Sequence, residues 1–482
     1  MVASTVAARL SDVLANPEDL AVRRAYGEAL TKAFDPRGDF ITIECDLESA
    51  PVASPGWTEL RRRRGELLAK HAKTWLAPYA KMVRYPVFRR GMLEDVYVDA
   101  KHFLPAMGTL LEREPVTSLG LSGLTAADME TLATRAELSR LQKLTLRSSD
   151  LYFSQGAKDL PARLSGLRRL LLDQCTFQLG VDHALAEQVY QNLEELTLGV
   201  KTLTADQLSL VTSQGYIKKV TSLAMPWLPG IRDLVEEIAQ QLRQPQLRRL
   251  DLAKNHFNVE ALERFATNKT IANLRGLGMA SNLLYGGAAV LAALGALPHL
   301  EDLDLSTNKL GPATGAAIAK GAWPLRSLTL SQTQLEDEGT IELARASLPG
   351  LRELDLASDR IGQAGAAALA SVAWPIERLL LSGNPIGDKG AAALAKSALP
   401  RTLRVLELHS CELTDKGVAA LASASWPALE HLVLSSNAIG AAGAKALGGA
   451  AMPALHTLAL KGTEVKKTPL APLKKRGVEL SL

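Results

Sequence analysis

Aromatic side chains are scarce: they make up 5% of the 482 residues. A core built without them must be a ladder of aliphatic side chains. Cysteine is nearly absent. Cys45, Cys175 and Cys411 are too few and too scattered for a disulfide framework or a zinc knuckle. Neither sign of charge dominates: 55 Lys and Arg stand against 51 Asp and Glu, a net +4, which argues against a dedicated nucleic-acid binder. The first residues, MVASTVAARLSDVLANPED, are broken by Arg9 and Asp12 before a signal-peptide apolar stretch develops. One uncharged run, Gly276–Leu300, is long enough to span a bilayer. Asn282, two glycine clusters and Pro298 interrupt it, and it fits the repeat described below. The expectation is a soluble cytoplasmic protein with no membrane contact. What is present is ordinary for a folded chain, with 47% apolar and 22% charged residues, and excludes intrinsic disorder. Length alone would suggest three or four globular domains.

The repeat overrides that count. Leucines recur in the frame L-x-x-L-x-L, most clearly at Leu300–Leu310, Leu351–Ile361, Ile376–Ile386 and Leu429–Ile439, with further copies from Leu247, Leu274, Leu325, Leu403 and Leu455. Weaker copies start at Val116, Leu141, Leu167, Leu193 and Val220, so about fourteen copies follow one another at steps of 25–27 residues. The alternating L-x-L core reads as a short strand with one buried side. One copy cannot bury its own leucines, so neighbours must stack and share a continuous core.

The ninth position of the frame is Asn255, Asn282, Asn308, Thr333, Asp359, Asn384, Cys411, Asn437 and Thr463. An inward amide or hydroxyl there can bond backbone groups where the chain leaves the strand. Cys175 and Cys411 fall in this column, which reads them as small buried ladder residues; no nearby signal activates either thiol. Next come an x-[LI]-G step and a second glycine (Gly315, Gly365, Gly390, Gly417 or Gly443) opening an Ala-rich helical stretch. Proline then ends the helix. Trp323, Trp374 and Trp426 precede such prolines at spacings of 51 and 52 residues, so two types of copy alternate. Alternating strand–helix copies resemble the ribonuclease-inhibitor class of leucine-rich repeats, although they are shorter here than is usual in that class. The resemblance covers roughly Val116 to Leu482. It implies an α/β leucine-rich-repeat solenoid with strands on the concave face and helices on the convex one, and says little about function.

Ahead of the repeats, residues 1–48 read as helices. Asn16-Pro17-Glu18-Asp19 is a helix-start signal with Asn16 as the N-cap, and Asp35-Pro36 repeats the device. The run Asn16, Pro17, Asp19, Tyr26, Leu30 and Asp35-Pro36-Arg37-Gly38-Asp39-Phe40-Ile41 resembles the bacterial repeat-companion domain. The aspartate–tryptophan pair usual after that tyrosine is missing. The resemblance implies a bacterial cytoplasmic protein whose helical head accompanies a repeat array and has no established enzyme activity. The expected organisation is a helical companion domain over 1–48, a helical bridge and cap over 49–115, and the solenoid over 116–482. Leu93, Val96 and Val98 form the expected first, degenerate strand. Leu470, Leu473, Val478 and Leu480 form the opposite cap. The run Arg61–Arg64 has two readings: a phosphate or nucleic-acid patch, or the wet side of a helix whose Leu60, Leu67, Leu68 and Trp75 face inward. The balanced charge favours the second.

The outward third, fifth and seventh positions of each frame are where a protein partner would bind. Column five carries Asp251, Asp304, Asp355 and Glu407 on every second copy, roughly 10 Å apart at the strand spacing. That is too far for a shared metal ion or a carboxylate dyad. It suits either a negative stripe facing a basic partner or plain solvation of an exposed sheet. Trp227 reads equally as an exposed anchor or a buried structural residue. Arg249 and Arg378, in column three, are conceivable edge arginines for a regulator of another enzyme, such as an inhibitor or a GTPase-activating protein. His409, His431 and His456 occupy positions seven, three and two, so they do not converge as metal ligands. His409 and His431 join the concave-face candidates. No P-loop, H-E-x-x-H, G-x-S-x-G or dinucleotide glycine pattern occurs in the expected context, and no cofactor is implied. The reading is a non-catalytic protein-interaction scaffold.

Overall fold

A computed structural model describes residues 2–51, 55–84, 86–151, 157, 159–177, 192–201, 218–227, 242 and 245–482. The chain divides into two compact units, Met1–Pro229 and Gly230–Leu482.

The first unit begins with four helices: α1 (Val2–Ala15), α2 (Leu20–Lys32), α3 (Arg37–Ser49) and α4 (Pro55–Leu76). The start of α2 falls later than the sequence suggests. Asp19 is the cap, its carboxylate accepting from the amides of Ala21 and Val22 at 2.8 and 3.2 Å, while Asn16-Pro17 lies in the preceding turn. A carboxylate one residue before the helix reaches the free amides, which Asn16 is too far back to do. At α3 the aspartate–proline device holds, with Asp35 accepting from the Arg37 amide at 2.9 Å.

Among the described residues eight strands follow: β1 (Val87–Arg89), β2 (Met92–Asp99), β3 (Ser118–Ser122), β4 (Lys143–Arg147), β5 (Asp150–Leu151), β6 (Arg169–Phe177), β7 (Glu195–Val200) and β8 (Ser222–Ala224). The weak copies from Val116 to Val220 become the parallel ladder β3–β4–β6–β7–β8, and the expected degenerate strand, β2, pairs with β3 in register. Strand β1 pairs antiparallel with β2 and covers an edge that would otherwise template aggregation.

The head is fastened to this ladder by buried charge. Arg37, in the Asp-Pro-Arg-Gly run, reaches Glu114 at 2.8 Å; Glu114 also accepts from Tyr79 and from the Leu93 amide. Arg23, fully buried, lies 2.7 Å from Glu94, and Arg90 holds Glu18 and Glu48. The four-arginine run lies on α4 and fits the wet-side reading in part: Arg62 and Arg63 are exposed, but Leu60, Leu67 and Leu68, expected inward, are no more than half-buried, like Arg61 and Arg64. Arg62 pairs with Glu59 and Glu66, Arg64 with Glu44, and Arg61 sits over the Trp57 ring, while Trp75 is buried.

Among its described residues the second unit holds ten parallel strands of three residues: β9 (Arg249–Asp251), β10 (Gly276–Gly278), β11 (Asp302–Asp304), β12 (Ser327–Thr329), β13 (Glu353–Asp355), β14 (Arg378–Leu380), β15 (Val405–Glu407), β16 (His431–Val433), β17 (Thr457–Ala459) and β18 (Glu479–Ser481). Every pair is in register, so that Leu250, Leu277, Leu303, Leu328, Leu354, Leu379, Leu406, Leu432, Leu458 and Leu480 form one row. From Leu250 to Leu458 these leucines are at most 2% exposed; each such burial is worth about 1.5–3 kcal/mol. The carboxy-terminal cap goes further than expected: Leu470, Leu473 and Val478 are buried and β18 adds a further strand.

Two devices end each strand. Position eight has positive φ in copy after copy, for instance Lys254, Ser281, Thr307, Gln332, Ser358, Ser410 and Ser436. This left-handed corner costs most residues about 1–2 kcal/mol. Position nine then bridges coils. Asn282 accepts from the amides of Asn255 and Phe257, both at 3.0 Å, and donates to the carbonyls of Leu252 and Met279 at 3.1 and 2.9 Å. Asn308, Asn384 and Asn437 repeat the pattern. Cys175 and Cys411 take the same slot, their thiols donating to the carbonyls of Leu146 at 3.3 Å and Leu381 at 3.2 Å.

The returning helices have seven to ten residues from Val259–Ala266 to Ala441–Gly448. The second glycine of each copy allows neighbouring helices to touch. A Cβ on Gly315 would lie 1.8 Å from the Gly339 carbonyl oxygen. Gly276–Leu300, the run long enough for a bilayer, is β10, a corner and the helix Gly287–Leu294. No helix among the described residues is long and apolar enough to cross a membrane.

Candidate functional site

With positions four and six turned inward, positions three, five and seven form the outward strand surface. The register brings the four acids of column five into one line: Asp251, Gly278, Asp304, Thr329, Asp355, Leu380 and Glu407 are successive partners. All four acids are half-buried.

Three of these acids also have a local role that the spacing alone did not reveal. Asp251, Asp304 and Asp355 each turn one carboxylate oxygen onto the amide two residues ahead, at Ala253, Ser306 and Ala357, every time at 2.9 Å. This is the Asx-type turn of a short acidic side chain, and it holds the chain entering the left-handed corner. Burial raises the carboxyls of Asp251 and Asp355 above the usual range, the Ala253 and Ala357 amides pull them back, and the charge of Asp304 raises both. The acids therefore sense one another across the intervening coil.

Neither candidate arginine is a free cation. Arg249 pairs with Asp302 at 2.5 Å and Arg378 lies 3.7 Å from Glu353, both between third-position residues. A guanidinium engaged in this way on its own sheet is poorly placed to reach into a partner's active site. The histidines are separated as the frame requires. His409 is exposed, with its ring 3.1 Å from the Ser410 hydroxyl. His431 lies 2.7 Å from the Thr457 hydroxyl, with its ring 6.2 Å from that of His456. Among the described residues no group of three or more His, Cys, Asp or Glu side chains is placed to hold a metal ion. Burial pushes the Cys411 thiol up to about 11 and raises that of Cys175, the opposite of what a nucleophile needs.

Trp227, in the first unit, is 56% exposed with φ of 51°. It occupies position eight, the left-handed corner, which in most other copies holds Ser, Thr, Gln, Lys or Gly and in the copy from Leu193 holds Val200. Where the backbone takes this left-handed corner, as at Trp227, the side chain turns outward. Counting to position eight does not by itself give this, since Val200 has the same count and is 2% exposed. The charge ladder of position two, such as Arg275–Glu301–Arg326 and Arg404–Glu430, was also missed. Its signal is a run of alternating signs one copy apart.

A leucine-rich-repeat family signature matches residues 296–319, 376–395, 400–422 and 427–448. The pig (Sus scrofa) ribonuclease inhibitor is 32% identical over 162 residues, which is 32% of this chain and 30% of that protein; the match thus spans under a third of the relative's length. Among solved structures, a chain of the yeast Rad7–Elc1 complex aligns over 79% of this chain and 86% of its own, at 17% identity and a TM-score of 0.44. A leucine-rich-repeat protein of Leptospira interrogans aligns over 77% and 91%, at 20% identity and a TM-score of 0.38. What recurs every 25–27 residues is a leucine-rich repeat, and the chain is an α/β leucine-rich-repeat solenoid with an all-helical amino-terminal segment.

Proposed function

We propose that this chain is a non-catalytic protein-interaction scaffold whose outward strand surface receives a basic face of a protein partner. The single observation that carries this reading is the in-register line of Asp251, Asp304, Asp355 and Glu407, in which burial, and beside it the charge of Asp304, raises Asp251 and Asp355. Like charges held about 10 Å apart on a rigid sheet oppose the fold slightly and favour a positive counterpart. Arg249, Arg378, His409 and His431 flank the line; Trp227, on the first unit, is a separate exposed aromatic of the kind that concentrates binding energy. The test is affinity purification from the native cell with the wild type and an Asp251→Asn, Asp304→Asn, Asp355→Asn triple variant. Asparagine keeps the oxygen that accepts from the turn amide but removes the charge. Loss of a specifically bound basic protein supports the stripe; undiminished recovery refutes it.

A second reading, an inhibitor of another enzyme, draws on the partial match to the ribonuclease inhibitor. Titrating the purified chain into a pancreatic-type ribonuclease assay tests it, and unaltered turnover at micromolar protein counts against it. The paired state of Arg249 and Arg378 disfavours the GTPase-activating variant of this idea.

A further inference from the structure

Three tryptophans mark alternate copies, but they do not settle alike. The indole N–H of Trp374 reaches back one coil to the Ala346 carbonyl at 3.0 Å, and that of Trp426 donates to the Leu421 carbonyl at 2.8 Å. Trp323 is 8% exposed, yet its ring N–H donates to no group among the described residues. The carbonyl corresponding to Ala346, at the same 28-residue offset, belongs to Gly295. Gly295 and Trp323 instead line an open groove of about 610 Å³ between the helices Gly287–Leu294 and Ala313–Lys320.

The cause is local. Two residues before Trp374 stands Val372; two residues before Trp323 stands Gly321. The six-membered ring of Trp323 lies against Gly321 so closely that a Cβ there would be 2.0 Å from Cζ3. Lying back on the glycine, the indole does not reach the Gly295 carbonyl, and the seam between the two helices stays open.

The walls of the groove are chemically simple. Ala288, Leu291, Ala292, Ala313, Ala316 and Ala317 run along the two helices, and Lys320, the one charged lining residue, stands at the end occupied by Gly295 and Trp323. Lys320 is exposed and has no acidic partner among the described residues. Both helices have eight residues, so the seam is about 12 Å long, the reach of an extended chain of about nine carbons. We propose that this groove binds a free medium-chain aliphatic carboxylate, the tail lying along the alanine walls and the carboxylate between the Lys320 ammonium and the Trp323 N–H. An apolar cleft of this size with a few convergent polar groups at one end is the usual form of a small-ligand site. The carbonyl ends of the two helices oppose an anion there, so the Lys320 ammonium has to supply the attraction.

Calorimetric titration of the full chain with decanoate below its micelle concentration tests this, with decyltrimethylammonium as a cation of equal tail length. The expected result is saturable one-to-one binding of decanoate and none of the ammonium. Gly321→Val, at an extended backbone position (φ −77°, ψ 162°), should push the indole into the seam and weaken binding at least tenfold, and Lys320→Glu should abolish it. Ala317→Leu fills the groove without touching Gly321 and stands in if Gly321→Val fails to fold. Absence of saturable binding, equal binding of both head groups, or decanoate affinity unchanged in the groove-filling variants overturns the proposal. So does concentration-dependent mass in sedimentation without decanoate binding, which would mean that the groove takes a second copy.

Discussion

Asp359 occupies a slot built for an amide. At Asn384, one coil on, the carboxamide oxygen accepts from the amides of Asp359 and Ile361, and the NH₂ donates to the carbonyls of Leu356 and Leu381. Asp359 reproduces the accepting half, one oxygen receiving the amides of Thr333 and Leu335. Its other oxygen, Oδ2, is buried with no partner among the described residues, in the place where asparagine directs NH₂ to carbonyl oxygens. Only the protonated acid can donate there. Burial pushes the Asp359 carboxyl up to about 6, against an ordinary 3.8, while the Thr333 and Leu335 amides pull it partly back. The folded state thus holds this proton more tightly than the unfolded chain. Its contribution to stability rises as pH falls from above 6 towards 4, and is lost as pH climbs through 6. Two units correspond to about 3 kcal/mol. Asp359→Asn is therefore expected to stabilise the protein by up to about 3 kcal/mol at pH 8 and by much less at pH 4.5, measured as urea midpoints of the two proteins at both values.

Inward and outward positions should differ as sharply. Leu354 is fully buried and Ser358 stands exposed at the left-handed corner. Leu354→Ala is expected to cost about 2–5 kcal/mol, and Ser358→Ala less than about 0.5 kcal/mol. Equal losses in chemical denaturation would mean that the frame is misassigned by one residue.

At the scale of the element, three of the short helices take a cap from the preceding coil. Asp415 accepts from the amides of Gly440 and Gly443, at 2.7 and 2.9 Å, at the start of the next coil's helix. Asp337 does the same for Gly362 and Gly365, and Asp388 for Thr414 and Gly417. Burial alone would raise Asp388, but the Thr414 hydroxyl and the two amides hold its carboxyl below the usual range. A helix of two turns is unstable by itself, so a carboxylate lent from the previous coil couples consecutive copies. Asp415→Ala should cost about 1–2 kcal/mol and speed hydrogen exchange at Gly440 and Gly443 more than at Gly365, whose cap is untouched. The strands and helices themselves were legible from period and composition. The capping partner was not, because Asp415 and Gly440 lie one copy apart and only stacking joins them.

At the scale of the molecule, the helical head does not stand apart from the first strands. Glu114 is fully buried and joins Arg37 of α3, Tyr79 and the Leu93 amide. Removing one partner of a buried ion pair leaves the other charge uncompensated. Glu114→Ala is therefore expected to destabilise the first unit by about 3–5 kcal/mol, while Glu66→Ala, in an exposed pair with Arg62, changes stability by less than about 1 kcal/mol. Thermal unfolding followed by Trp75 fluorescence in single-tryptophan chains would separate the two. If the head unfolds with unchanged midpoint in the Glu114 variant, the buried pairs do not fasten it.

The spacing of leucines was enough to determine the strand frame, the direction in which those leucines face and the ladder at position nine. All of these follow from a local period that every copy repeats. Tertiary structure alone decided the rest. It paired Arg249 with Asp302, set Glu301 between Arg275 and Arg326, and brought the Asp415 carboxylate to the Gly440 amide one copy on. Each of these outcomes depends on which atoms neighbouring turns bring within about 3 Å, the range over which hydrogen bonds and packing contacts act, and no pattern within a single copy encodes that distance.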